Sequence, residues 1–303
     1  MIHIACNIDD NYIMQCCTTL VSVMYNNRNE QITFHIIAEF LSNEAKSMLT
    51  EEVEKYNQQI HFYAYNLNMN LSSFKSAHIS LAAYLRLFVA DILPVEIHKI
   101  LYLDCDLIIN DSIKDLWETD VTSYAVAAVE DMWSGKTDNY ERLSYDASFS
   151  YFNAGVLLVN LNHWREMKFQ KKAMQYIPGH IDKLVFNDQD VLNALLYDKK
   201  QFLPFRYNVQ DGFLRRKRRI RPTSIPLLDE ELKHPVIIHY TGGKKPWQYK
   251  SQHPYKNLYF RYLDLTEWKG ERPQVPFSYR IKQAIDKVLY ALRLAKPKYR
   301  NIT

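Results

Sequence analysis

The chain has 303 residues, 47% of them hydrophobic and 14% aromatic, with seven glycines. That is enough apolar surface for one large core, and it excludes a disordered chain or a fibrous repeat. The formal charge of +4 is unevenly spread: residues 277–303 and the run Arg215-Arg216-Lys217-Arg218-Arg219-Ile220-Arg221 each carry +6, which leaves −8 on the rest.

No stretch approaches the roughly twenty apolar residues of a membrane span. Met1 runs straight into Ile2-His3-Ile4-Ala5-Cys6 without a basic region, a long apolar core or a cleavage site, so the chain is expected in the cytoplasm. Cys6, Cys16, Cys17 and Cys105 lack metal-binding spacing and read as reduced residues in or near the core.

Residues 2–8 read as a strand that leads through Asp9-Asp10-Asn11-Tyr12 into a helix reaching Met24. Those polar residues suit an N-cap, and they also stand where a strand's carboxyl end meets a ligand. A strand over Thr33–Ala38, a helix over Asn43–Tyr56 and a strand over Ile60–Tyr65 repeat the pattern. Alternating strands and helices with short links predict an α/β fold, a mostly parallel, Rossmann-like sheet flanked by helices. Neither GxGxxG nor GxxxxGK[ST] follows any strand, which argues against a dinucleotide dehydrogenase or a P-loop enzyme. A nucleotide bound here would be held by metal and side chains.

Ser80–Ala90 reads as a helix with Leu81, Tyr84, Leu85 and Phe88 at core spacing; Arg86 on it and His78 before it can bring positive charge to an anion. The continuous apolar run Lys99–Leu103 then ends in Asp104-Cys105-Asp106. Carboxylates are costly inside a sheet, so they belong at its carboxyl edge. Side chains at i and i+2 of an extended segment point the same way, and both acids can reach one hard cation that keeps open positions for diphosphate oxygens.

The strand Tyr124–Val129 exits at Glu130-Asp131. In Phe152–Leu161 a polar, small-residue turn joins a buried strand; the Asn153 amide suits sugar hydroxyls and Gly155 permits close backbone approach. Phe186-Asn187-Asp188-Gln189-Asp190 opens a helix, and capping accounts for one or two of its polar residues but not for all. Val236–Trp247 delivers His239 from an apolar strand, then Gly242-Gly243 and Lys244-Lys245. The histidine is a candidate third metal ligand, while Lys245 and the glycine amides can grip phosphate.

Pro273 and Pro276 close the globular part. Beyond them Ile281, Ile285, Val288 and Leu292 recur at helical spacing, opposite Lys282, Asp286, Lys287 and Arg293. Such a basic amphipathic helix suits an anionic membrane surface, where each cation is worth about 1 kcal/mol; docking onto the protein is the alternative. The Arg215–Arg221 run can grip lipid head groups or an anionic acceptor, and equally reads as a mobile loop. No nucleic-acid fold signature accompanies it, so nucleic acid is not an expected partner.

Several of these stretches, in this order, resemble one family. Asp9-Asp10-Asn11-Tyr12, His78-Ile79-Ser80, Tyr84–Leu87, Leu101–Asp106, Phe152–Leu161, Asp188-Gln189-Asp190, His239–Gly242 and Lys245-Pro246-Trp247 are similar to the motifs of glycosyltransferase family 8. Bacterial lipopolysaccharide and lipooligosaccharide α-galactosyl- and α-glucosyltransferases are the nearest in kind. The resemblance implies a GT-A catalytic domain over 1–272 with a membrane-associating segment over 273–303. It further implies a retaining enzyme that moves galactose or glucose from a UDP-sugar, in α linkage, to a lipid-linked glycan at the inner face of the cell membrane.

Carried over by position, Asp9, Asn11 and Tyr12 would bind the nucleoside, and Asp104, Asp106 and His239 would hold Mn²⁺, with Mg²⁺ as the alternative. Gly242, Lys245 and His78 would contact phosphate. Arg86, Asn153, Ala154 and Gly155 would surround the donor sugar together with Asp104. Asp188, Gln189 and Asp131 would be the catalytic group. Transfer onto protein, as in glycogenin-like relatives, and a catalytically silent nucleotide-sugar or glycan-binding module are the alternative functions; the full set of acids argues against the silent one.

Overall fold

The structure, a computed structural model, describes residues 1–66 and 84–300. Its centre is a seven-stranded sheet in the order β3-β2-β1-β4-β7-β6-β8, with β1 Ile2–Asn7, β2 Ile32–Ala38, β3 Gln59–Ala64, β4 Lys99–Leu103, β6 Val126–Glu130, β7 Phe152–Asn160 and β8 Lys200–Phe202. The first four run parallel, as the alternation of strand and helix requires. β7 departs from that expectation, because it lies antiparallel between β4 and β6. A buried apolar run does not encode its own direction, since both of its faces are covered either way.

The pleat divides the core in two. Ile4, Cys6, Leu101 and Leu103 face the helices Ile13–Asn26 and Asn43–Glu54, while Ala5, Ile100 and Tyr102 face Trp164, Phe169 and the helix Asn187–Leu196. All four cysteines are free and buried, matching their reading as core residues. The helix expected over Ser80–Ala90 takes another form. Its first four positions and His78 lie outside the described residues; Leu85–Phe88 is a 3₁₀ turn and Val89–Ile92 a single α-turn. Pro94 shows why it stops there, since the residue before a proline is pushed out of the helical region. Tyr84, Leu85 and Phe88 are buried as their spacing predicts, and so is Arg86.

A second, three-stranded sheet joins β5 Leu107–Ile109, β10 Ile237–His239 and β9 Val209–Gln210. Sequence reading placed Val236–His239 as a strand but missed β5, which begins only three residues after β4 ends.

No helix among the described residues is long and apolar enough to cross a membrane. The helix Phe277–Ala291 has no buried residue, and its apolar face is turned outward: Ile281, Ile285, Val288 and Leu292 are 48–62% exposed. Past this helix the chain returns to the body. Arg216 N–H donates to Lys298 O (3.1 Å) and Arg300 N–H to Leu214 O (2.9 Å), which buries Tyr299 between them.

Candidate active site

Asp104, Cys105 and Asp106 form the step from one sheet to the other. β10 pairs with β5 so that His239 stands opposite Leu107, directly beside this step. One ligand atom each from Asp104, Asp106 and His239 lies within 4.8 Å of the other two. His239 Nε2 is 3.1 Å from Asp106 Oδ1 and 3.7 Å from Asp104 Oδ2. Two carboxylate oxygens and an imidazole nitrogen suit a divalent cation of the Mn²⁺ class. Gly155 leaves the room they need, because a Cβ there would come 2.7 Å from Asp104 Oδ2 and 2.8 Å from His239 Nδ1.

Two cations balance the acids. Arg86 Nη2 lies 2.9 Å from Asp104 Oδ1, its Nε lies 2.9 Å from Asp188 Oδ2, and its Nη1 donates to Ala154 O at 2.7 Å. Lys245 donates to Asp106 and, at 2.6 Å, to Tyr240 O. Burial would raise the Asp106 carboxyl, but Lys245 and His239 outweigh it and hold the group well below the usual carboxylate range. For Asp188 burial wins over Arg86, and its pKa rises to about 6.

Across a cavity of about 400 Å³ stand Asp131, Asn153 and Gln189. Asp131 accepts from Asn153 Nδ2 (3.0 Å), Gln189 Nε2 (3.2 Å) and Trp133 N–H (2.7 Å), and burial raises its pKa against these bonds. Gln189 Oε1 accepts from Ala154 N–H at 3.0 Å. Asp190, the last acid of that stretch, is structural: it is fully buried and accepts from Tyr151 Oη, Phe186 N–H and Arg142.

At the edge expected to meet phosphate, Gly242 and Gly243 line the cavity with Thr241. Gly242 rests on Asp211, whose Cγ would lie 2.9 Å from an added Cβ, and Asp211 is itself held by Tyr299 and Arg215. Asp9 caps the short turn after β1 by accepting from Asn11 N–H at 3.0 Å. Asp9 and Asn11 stand off the cavity wall, and Tyr12 approaches it edge-on to Trp247 and within the field of Asp106.

Met132, Trp133, Phe186 and Arg215 also line the cavity, and sequence reading missed the first three as site residues. Trp133 and Met132 follow the Glu130-Asp131 exit, which was the one available signal. The basic run is largely used internally: Arg215 pairs with Asp211, Arg218 with Asp229 and Arg221 with buried Glu130, while Arg219 stacks on Trp133.

The profile of glycosyl transferase family 8 matches residues 3–251. General stress protein A of Bacillus subtilis is 32% identical over 275 residues, covering 88% of this chain and 95% of that protein. A lipopolysaccharide 1,2-glucosyltransferase of Escherichia coli is 28% identical, covering 98% and 87%. Among solved structures, the galactosyltransferase LgtC in complex with donor and acceptor sugar analogues superposes with a TM-score of 0.76 at 24% identity, over 93% of this chain and all of that one. A family profile spanning most of the chain, on a two-sheet architecture shared with LgtC, makes this protein a member of glycosyl transferase family 8 with the GT-A fold.

Proposed function

We propose that this glycosyltransferase moves a hexose, galactose or glucose, from a UDP-sugar to a glycan acceptor in α linkage, with Mn²⁺ at Asp104, Asp106 and His239. The observation that carries the reading is the convergence of those three donors with Asp131, Asn153 and Gln189 on one cavity. A divalent cation bound there supplies Lewis-acid charge to the diphosphate as it departs. Lys245 and the Gly242 backbone add fixed positive charge and a donor on the same side. Asn153 and Gln189 present amides to sugar hydroxyls, with Arg86 behind them orienting Asp104 and Asp188.

Retention of configuration follows from attack on one face of the sugar. The acceptor oxygen bonds to the anomeric carbon as the carbon–oxygen bond to the diphosphate breaks, and the acceptor's proton passes to the departing phosphate oxygen. What supports this over a covalent intermediate is that Asp188 is tied down by Arg86, while Gln189 is a neutral amide bonded to Ala154 N–H. Incubated with Mn²⁺ and single UDP-sugars without acceptor, the enzyme is expected to release UDP slowly from one UDP-hexose. EDTA and Asp106→Ala should each lower that rate at least 100-fold; hydrolysis indifferent to both would refute the reading.

The acceptor proposed is lipid-linked, with the enzyme peripheral on the cytoplasmic face of the membrane. Support comes from the outward apolar face of Phe277–Ala291, flanked by Lys282, Lys287, Arg293 and Lys296. Sedimentation with vesicles containing phosphatidylglycerol should retain the wild type and lose the Ile285→Asn/Val288→Asn double variant by about tenfold or more, with UDP release unchanged. Equal retention of both would exclude the helix as the anchor.

A further inference from the structure

The ring of His239 is oriented by a residue outside the donor set. Asn208 is fully buried just before β9, with Nδ2 donating to Asn153 Oδ1 at 2.8 Å and Oδ1 2.9 Å from His239 Nδ1. Backbone amides fix which end of each side-chain amide is oxygen. Gly155 N–H donates to Asn153 at 3.0 Å, so that end of Asn153 is the carbonyl; its nitrogen then faces Asp131, an acceptor. Asn208 must meet the same carbonyl with its own nitrogen, which turns its oxygen toward His239. An amide oxygen only accepts, so Nδ1 carries a proton. Nε2 points at Asp106 Oδ1 (3.1 Å) and Asp104 Oδ2 (3.7 Å), the position from which it would offer its lone pair to a cation that displaces any proton held there.

We propose that Asn208 is a positioning residue that holds His239 in its Nδ1–H tautomer and thereby sets the divalent-cation affinity of the site. The proposal rests on the reading of Asp104, Asp106 and His239 as metal ligands. It extends the polar chain from the sugar side of the cavity, through Asp131, Asn153 and Asn208, to the metal side at His239. Reversing any one amide would place oxygen against oxygen or a donor against a donor, so the four groups take one arrangement.

The test titrates Mn²⁺ alone into the full-length protein and reads the free ion by electron paramagnetic resonance. Asn208→Leu, close in volume but without an acceptor, is expected to weaken Mn²⁺ binding about 10–100-fold. Asn208→Asp keeps an acceptor oxygen toward Nδ1 but sets its other oxygen against Asn153 Oδ1, so it should bind Mn²⁺ more tightly than Asn208→Leu and more weakly than the wild type. Two-bond ¹⁵N–¹H correlation spectra of the metal-free protein supply the second readout. Nδ1 of His239 should carry a proton in the wild type and in Asn208→Asp, and Asn208→Leu should gain a ring protonated on Nε2 alone.

A wild-type ring protonated on Nε2 alone overturns the proposal, and so does a folded Asn208→Leu protein with unchanged Mn²⁺ affinity. If Asn208→Leu fails to fold, the wild-type spectrum still decides. Mn²⁺ binding unaltered in Asp106→Ala would overturn the metal-site reading, and with it the affinity part of the proposal, while leaving the tautomer measurement standing.

Discussion

Gly155→Ala should remove metal-dependent turnover while leaving the protein folded. The backbone of this position accepts alanine, because Gly155 lies within β7 and not in the left-handed region. The obstacle is the space beside it: the new methyl would meet the His239 ring and sit 2.7 Å from Asp104 Oδ2. Neither neighbour can retreat freely. His239 is held from behind by Asn208 and in front by Asp106, and Asp104 is held by Arg86. β7 itself is locked between β4 and β6. Moving the ligands is the remaining relief: the methyl would lie far inside contact distance of His239 Cε1, so the ring must shift by about 1 Å or more, which should weaken Mn²⁺ binding and UDP-hexose hydrolysis by at least 100-fold. Isothermal titration with Mn²⁺ and a thermal melt on the same sample check both halves of this statement. A variant that binds Mn²⁺ like the wild type would show that the donors are not arranged as described.

Removing the Arg86 guanidinium should cost more stability than any other single change at the site. The side chain is buried and bridges Asp104, Asp188 and Ala154 O at 2.7–2.9 Å, with its charge over the Tyr102 ring. Arg86→Met preserves the bulk of the stem and strands two carboxylates. Breaking a buried pair in this way costs about 3–5 kcal/mol. For a chain of this length that corresponds to a fall in melting temperature of roughly 5–8 °C. Asp188 already titrates at about 6 because burial outweighs Arg86. Without the arginine its pKa should rise further, and the loss of stability should shrink as the pH falls and Asp188 becomes neutral. Arg86→Lys keeps the charge but not the planar fork, so it should recover only part of the loss. A melting temperature within 1 °C of the wild type for Arg86→Met, measured at pH 7.5, would contradict the bridge.

What could be read in the sequence was whatever the chain encodes within a few residues. Lys99–Leu103 is a strand because it is continuously apolar, and Asp104 and Asp106 share a side because strand periodicity is two. The strand exit at His239 marked a candidate third ligand, but its meeting with these acids was not readable from spacing, since 132 residues lie between Asp106 and His239; the resemblance to a family supplied it, and the register of β5 against β10 explains it. Asn208 went unnoticed because an asparagine between Tyr207 and Val209 looks like a turn residue; its role exists only once β9 lies beside β10. Arg86 was expected on a helix, bringing positive charge to an anion; the 3₁₀ turn instead points it inward to two acids that are distant in sequence. The basic run Arg215–Arg221 read as a grip for lipid head groups or an anionic acceptor, or as a mobile loop, and the acids that absorb much of it, Asp211, Asp229 and Glu130, come from three different elements.

The return of the last residues to the body also bears on how this enzyme can be engineered. A protein chemist troubled by a sticky, outward-facing helix would cut the chain at Pro276. That cut would discard Tyr299 and Lys298, which lean on Asp211, and Asp211 is the seat of Gly242 at the cavity edge. A shortened protein would thus lose a brace of the cavity together with its outward apolar helix. The better handle is the helix's outer face, where Ile281, Ile285, Val288 and Leu292 can be made polar one by one without touching the tail that braces the cavity.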